Sequence, residues 1–228
     1  MRVLVLGPTG VVGAEVVREA LADPRVSRVV AIARRTLPLS DARLDTILHD
    51  DFGDFRDVRA RLADVDAAIC ALGMAWPQAQ SEAQYRMVTC EYVMALARTL
   101  VEARPDARFC FVSGHGAAPG SRQTWARIKA EAEEGLRGTF GTSLTVFRPG
   151  YIYPVHGREK PYWGDAAMRP FMPFRRALAK YITDSVTVAR ALLFAALGGT
   201  VPSPAGNHEI KAAAEQYEAV RRDALPSA

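Results

Sequence analysis

The sequence predicts an α/β fold: one doubly wound, mostly parallel sheet with helices on both faces. Short β-branched or apolar runs alternate with stretches whose apolar residues recur at helical spacing. The run Asp66 to Gly73 is almost continuously apolar, as a parallel strand covered on both faces should be. The first run, Arg2-Val3-Leu4-Val5-Leu6, opens straight onto Gly7-Pro8-Thr9-Gly10-Val11-Val12-Gly13. A helical stretch follows, with apolar positions 12, 16, 17, 20 and 21.

That strand, glycine turn and helix form the opening of a dinucleotide-binding unit. Gly7 lets the strand turn sharply, and Gly10 lets main chain approach a diphosphate with no Cβ in the way. Gly13 lets the helix pack close to the strand. The helix N-terminus, with Thr9, Val11 and Val12 around it, offers N–H groups to the phosphates. The spacing G-x-x-G-x-x-G differs from the commoner G-x-G-x-x-G, and its position between a strand and a helix supplies the context the motif requires.

The 228 residues suit one domain, residues 1–228, large enough for a full core. With 49% hydrophobic residues and ordinary charge, the chain is globular rather than disordered. A net charge of +4 fits an anionic cofactor and does not by itself argue for nucleic acid. No apolar run is long enough to span a bilayer, and Met1-Arg2 leads directly into the first strand, leaving no room for a signal peptide. Cys70, Cys90 and Cys110 read as reduced core residues of a cytoplasmic protein, not as a disulfide framework or a metal site.

Arg28 to Ala33 is the second strand. Its end faces the adenosine ribose, where an NAD enzyme usually places an acid. Here Arg34 and Arg35 follow, and no acid occurs until Asp41, so the expectation is NADP, with Arg34 the main clamp on the 2′-phosphate and Arg35 beside it. Leu44 to His49 is a third strand. After it Asp51 accepts from the adenine amino group, with Phe52 on the ring; the rival reading is that Asp51 or Asp54 caps the next helix, Phe55 to Leu62. His49 reads as structural.

The fourth strand ends in Ala71, Leu72 and Gly73, small or apolar where the cofactor crosses the sheet, and Trp76 sits in the loop over the mouth. Ser81 caps a long helix to about Ala103, whose packed face carries Tyr85, Val88, Tyr92, Leu96 and Leu100. Arg108 to Val112 is the fifth strand. It runs into Ser113-Gly114-His115-Gly116-Ala117 and a helix containing Trp125 and Lys129. Ser143 to Phe147 is the sixth strand, followed by Arg148-Pro149-Gly150-Tyr151.

The glycine loop, Ala71-Leu72-Gly73, Val112-Ser113-Gly114, the Trp125 to Lys129 spacing and Phe147-Arg148-Pro149-Gly150 occur in this order. Together they resemble the atypical short-chain dehydrogenase/reductase family, especially its smaller Tat-interacting-protein-like and NmrA-like oxidoreductases. The resemblance covers most of the chain, to about residue 195. It implies a Rossmann core, an NAD(P) cofactor and, in active members, a Ser-Tyr-Lys hydride-transfer site. Lys129 matches the Lys, which in the family holds the nicotinamide ribose and lowers the Tyr pKa. The Tyr position holds Trp125, whose indole N–H donates a hydrogen bond but shuttles no proton near neutral pH. Ser113 stands at the end of the fifth strand, but Gly114 and His115 occupy the places where the family hydroxyl often sits. Pro149 and Gly150 resemble the segment whose backbone meets the nicotinamide amide.

The missing phenol leaves two repairs: His115, a residue type that titrates near neutrality, or Tyr151 or Tyr153 after the sixth strand. Residues 151–183, rich in Pro, aromatic and Met residues such as Pro161-Tyr162-Trp163, form a substrate lid; Arg175, Arg176 and Lys180 alternatively suggest a membrane-surface helix, but the prolines interrupt it. Asp184 caps a helix ended by Gly198-Gly199. His208-Glu209-Ile210 suggests an edge strand, and the last dozen residues look frayed. Two functions follow: an NADP(H)-dependent reductase or isomerase of a small apolar carbonyl compound, with Trp76, Trp125, Tyr151 and Tyr153 about the pocket, or a non-catalytic NADP(H)-binding regulator that meets a protein partner. For the second reading, that partner is another protein or a second copy of the chain in a homodimer.

Overall fold

The computed structural model describes residues 1–157, 163–175 and 177–224. Six parallel strands form the main sheet in the order β3-β2-β1-β4-β5-β6: β1 Arg2–Leu6, β2 Arg28–Ala33, β3 Leu44–Leu48, β4 Ala67–Cys70, β5 Arg108–Val112 and β6 Leu144–Phe147. In-register pairs such as Leu6 with Ile32 and Leu6 with Cys70 bring the ends of β1, β2 and β4 to one edge. The strand order reverses between β1 and β4, the point where open α/β sheets place their ligand crevice.

Alternation along β1 explains the layers. Leu4 and Leu6 point to one face, into a core with Ile32, Phe109, Phe111 and Leu96. Val3 and Val5 point to the other, against Val16, Ile69, Leu192 and Tyr217. The first core is closed by α2 (Arg59–Leu62), α3 (Glu82–Arg86), α4 (Tyr92–Ala103) and α5 (Thr124–Phe140), the second by α1 (Val11–Leu21), α7 (Ser185–Ala196) and α8 (Asn207–Ala224). A short helix, α6 (Trp163–Met168), precedes a tight turn of helix at Arg169–Phe174.

The expected caps are present. Ser81 Oγ accepts from the Gln84 N–H at 3.1 Å and Asp184 Oδ1 from the Thr187 N–H at 2.8 Å. Gly198, at φ +96°, ends α7. All three cysteine thiols are buried and pushed up by burial, Cys70 and Cys110 to about 12 and Cys90 to about 11. His49 is structural: it stacks on Phe55 at 4.9 Å, and its Nε2 lies 2.8 Å from the Asp51 and Asp54 carbonyl oxygens.

Four expectations change. A π-helical turn at Met87–Glu91 joins α3 to α4 and inserts one residue into the repeat. Thr89 and Val93 are therefore buried where Val88 and Tyr92 were expected. The helix before β4 is only Arg59–Leu62, preceded by a tight turn at Arg56–Val58 with the Asp54 carboxylate on the Arg56 N–H at 3.0 Å. His208-Glu209-Ile210 is no edge strand. The edge contact on β6 falls at Ala205, and Asn207 starts α8, which carries the tail to Ala224 with Ile210 and Tyr217 in the core. After β6, Tyr151–Tyr153 (β7) pairs in parallel with Ile182–Asp184 (β8) as a separate two-stranded sheet within the expected lid. Pro161, Tyr162, Arg176 and the Trp163 side chain of that lid lie outside the described residues.

Among the described residues no helix is long and apolar enough to cross a membrane, and no cluster of metal-ligating side chains is found.

Candidate functional site

The glycine loop is built from main chain packed on main chain. Gly7 has φ +83°, and a Cβ there would lie 2.8 Å from the Leu72 nitrogen, so the β1 and β4 ends touch at the switch point. A Cβ on Gly13 would sit 2.0 Å from the Gly7 oxygen, which is why α1 can begin so close beneath the turn. Gly10 is the N-cap of α1 and has no side-chain cap bond; the first turn of the helix holds no acid. The N–H groups of Val11, Val12 and Gly13 thus begin a helix dipole unanswered by a carboxylate of that turn.

Next to this N-terminus lies a cavity of 590 Å³, lined by Thr9, Gly10, Val11, Arg18 and Arg35 and by His156 from the lid side. Arg35 lines this cavity, whereas the Arg34 guanidinium lies 5.9 Å from the Phe52 ring centroid. Phe52 itself is buried against Phe55 and Tyr92, so its ring is core rather than an open adenine platform. The Asp51 carboxylate accepts from the Gly53 N–H at 2.9 Å and serves its own turn. One buried acid also lines the cavity: Glu15 Oε1 takes Arg18 at 3.1 Å and His156 Nδ1 at 2.7 Å.

Across the sheet edge, Ala71, Leu72 and Gly73 are partly open, and a Cβ on Gly73 would be 3.6 Å from Lys129 Nζ. Lys129 is buried on α5. Its ammonium donates to the Val112 carbonyl at 3.0 Å and stands 5.0 Å over the Phe111 ring. Burial drives its pKa down from 10.5 to about 8, against the opposing pull of Cys70 and Glu133. One of its three donors is used by Val112.

Ser113, at the end of β5, is engaged inside the protein. It is buried, and its Oγ donates to Glu133 Oε1. Glu133 is itself 2% exposed and also takes Arg148 Nε at 2.9 Å, so a carboxylate ties the ends of β5 and β6 to α5. The sequence reading missed Glu133; the signal was its i, i+4 spacing from Lys129, which puts both on one helix face. Trp125, where the family has Tyr, lies over the β5 loop: Cβ atoms on Gly114 and Gly116 would meet its ring at 3.5 and 3.7 Å. His115 is exposed beyond it. Its N–H donates to the Pro149 carbonyl at 2.8 Å, and its ring stands edge-on to Tyr181 at 5.9 Å.

The backbone of Pro149 and Gly150 is engaged within the protein. Besides the Pro149 carbonyl, the Gly150 N–H donates to Asn207 Oδ1 at 3.0 Å. A Cβ on Gly150 would fall 2.2 Å from the Tyr181 oxygen, so this glycine exists for the approach of the segment leading into β8. Tyr151 donates to Asp165 Oδ1 at 2.6 Å, and Tyr153 is exposed and lines the lid-side cavities. Trp76 packs edge-on to Tyr85 at 5.1 Å, away from those cavities.

A capless helix N-terminus at the switch point, a glycine turn that excludes Cβ atoms and a buried lysine at the neighbouring strand ends define a dinucleotide-binding protein of the Rossmann class. The NAD(P)H-binding family matches residues 7–188, and the chain belongs to it. The chain is 28% identical over 196 residues to the protein HTATIP2 of Rattus norvegicus, covering 84% of this chain and 79% of that one. It is 28% identical over 165 residues to the mitochondrial protein fmp52 of Emericella nidulans, 70% of each. A short chain dehydrogenase from Burkholderia cenocepacia in complex with NADP superposes with a TM-score of 0.67 at 19% identity, covering 98% of this chain and 94% of that one. MoeE5 in complex with UDP-glucose and NAD gives 0.67 at 19% identity over 95% and 82%. At these identities the solved structures share the fold.

Proposed function

We propose that this chain is an NADP(H)-dependent oxidoreductase acting on a small carbonyl compound. The observation that carries the cofactor preference is Arg35, which lines the same cavity as the phosphate-facing Thr9, Gly10 and Val11, with Arg18 beside it. Guanidinium groups answer a 2′-phosphate with charge-assisted hydrogen bonds, and the position where an acid would hold a bare ribose has none. Titration calorimetry with both reduced nucleotides tests it: NADPH should bind at least about tenfold more tightly than NADH. Equal affinities sink the preference.

When bound, the dihydronicotinamide supplies a hydride to the carbonyl carbon. The chain's own residues do the rest. Lys129 orients the ribose from the β5 end, and its position beside Gly73 and Val112 supports that role. Ser113 is committed to Glu133, so the proton for the carbonyl oxygen falls to the His115 ring, which opens onto the lid-side cavity of 920 Å³. In a panel of small ketones and aldehydes, His115→Ala should abolish NADPH oxidation and leave NADPH affinity intact; unchanged turnover removes His115 from the chemistry.

One observation favours the second reading, a non-catalytic NADP(H)-binding regulator: both hydroxyls of the family's proton-transfer pair are missing from the site, one replaced by Trp125 and one held by Glu133. A parent protein that binds NADPH, turns over nothing in the panel and gains activity on Trp125→Tyr would establish it. The protein-partner or homodimer surface then belongs to the exposed Phe171 and Phe174 of the lid.

A further inference from the structure

Two cavities on the lid side share a wall. The smaller, 560 Å³, has Pro154, Val155 and Met172 in its lining; the larger, 920 Å³, has His115, Lys180 and Lys211; Tyr153, Arg175 and Asp184 line both. Asp165 and Arg169 also line the smaller cavity, so its two cations, Arg169 and Arg175, are balanced by two carboxylates, Asp165 and Asp184. The larger cavity faces the cations Arg175, Lys180 and Lys211 and the carboxylates Asp184 and Glu209.

Those carboxylates are already spoken for. Asp184 caps α7, accepting from the Thr187 N–H at 2.8 Å and the Thr187 hydroxyl at 2.7 Å. Glu209 closes the start of α8, accepting from the Gly206 N–H at 2.9 Å, with His208 at 3.7 Å. Of the cations, Lys211 reaches Glu215 only at 3.9 Å in an exposed pair worth little, and the Lys180 ammonium stands 5.5 Å over the ring of Tyr181. Both carboxylates keep their charge, so three cations against two carboxylates leave the lining of the larger cavity with one positive charge in excess, and His115 stands in the same lining.

We infer that the 920 Å³ cavity receives an anionic head group, a carboxylate or a phosphate monoester, held by Arg175, Lys180 and Lys211, and that the adjoining cavity takes the apolar body of the same molecule. The inference rests on the oxidoreductase reading and narrows its substrate from an apolar carbonyl compound to an amphiphilic acid. Arg175 lines both cavities and so stands at the junction of head and body. His115 is then within the chamber that holds the head, and the reducible carbonyl lies close to the acid rather than at the far end of the chain.

The experiment is titration calorimetry on the full chain, with and without NADPH, using 2-oxohexanoate, hexyl phosphate and the uncharged hexan-2-one. At least one anion should bind about tenfold or more tightly than hexan-2-one, and the two anion arms say which head group is preferred. Arg175→Gln and Lys211→Gln should each weaken that anion about tenfold while leaving hexan-2-one and NADPH titrations unchanged. A ketone that binds as tightly as both anions, anions that do not bind, or variants without effect would overturn the inference. The NADPH titration separates the two levels. Normal NADPH binding without anion preference removes only the acid, whereas loss of NADPH binding removes the cofactor reading and leaves the cofactor-free anion titrations to judge the cavity.

Discussion

Residues 7–13 and 71–73 meet through main chain: a Cβ on Gly7 or Gly13 would collide with backbone atoms at 2.8 or 2.0 Å. Residues 149–184 are put together in another way. A close backbone approach, Tyr181 against Gly150, pins the two-stranded sheet β7–β8, and among the described residues the segment also carries exposed large side chains, with Phe171 at 50% and Phe174 at 64%. The first region leaves side chains almost no say in its shape, so the cradle tolerates few sequences and presents one geometry. The second is shaped by long side chains with loose surroundings, so it can be re-specified without touching the cradle.

Exchanging the glycines breaks or upholds this contrast most directly. Gly13→Ala should reduce NADPH affinity by about a hundredfold and cost about 1–3 kcal/mol of stability through overpacking. Gly150→Ala should leave NADPH affinity nearly intact and disturb the lid cavities; calorimetry and urea unfolding read both. Should Gly150→Ala abolish NADPH binding, the two regions are one unit.

A smaller effect is expected at Arg35. Arg35→Ala should weaken NADPH by about tenfold to a hundredfold and NADH hardly at all, whereas Arg34→Ala, beside Phe52, should do little to either. Equal losses for both nucleotides would place Arg35 on the shared diphosphate instead.

Lys129 gives a pH signature. Its pKa is lowered by burial to about 8 from 10.5. Below about pH 8 the folded chain carries a buried charge that the unfolded chain hydrates better, and the penalty is complete. Between pH 8 and 10.5 the folded lysine has lost its proton and the unfolded one keeps it, so stability rises with pH across that window. Lys129→Met should therefore raise stability near pH 7 by about 2 kcal/mol, flatten the profile above pH 8 and weaken NADPH. Urea midpoints from pH 6 to 10 check it; a destabilised variant at pH 7 would mean that the Val112 bond outweighs burial.

The smallest change tests the lid's attachment. Asp184→Ala removes the N-cap of α7 and should cost about 1 kcal/mol, read in the thermal midpoint, with NADPH affinity unaltered.

What was legible in the sequence followed from short-range causes. The glycine turn, the caps Ser81 and Asp184 and the apolar strands each depend on residues within a few positions, where φ, hydrogen-bond reach and periodicity decide. Long-range pairings were not legible. The Ser113 hydroxyl is taken by Glu133, twenty positions on, and Glu133 is held there by Arg148, just past β6. The π-helical turn at Met87–Glu91 shifts a packed face that plain periodicity placed on Val88 and Tyr92. The segment from His208 reads as strand only until Ile210 and Tyr217 find the sheet's second core and make it helix.

The order of residues alone determined a parallel α/β sheet with a diphosphate cradle at its first helix, because those features are local and backbone-driven. Which arginine lines the cavity beside α1 and which carboxylate takes the Ser113 hydroxyl were decided only in three dimensions. Each depends on a partner far along the chain, and burial, not sequence distance, sets which partner it meets.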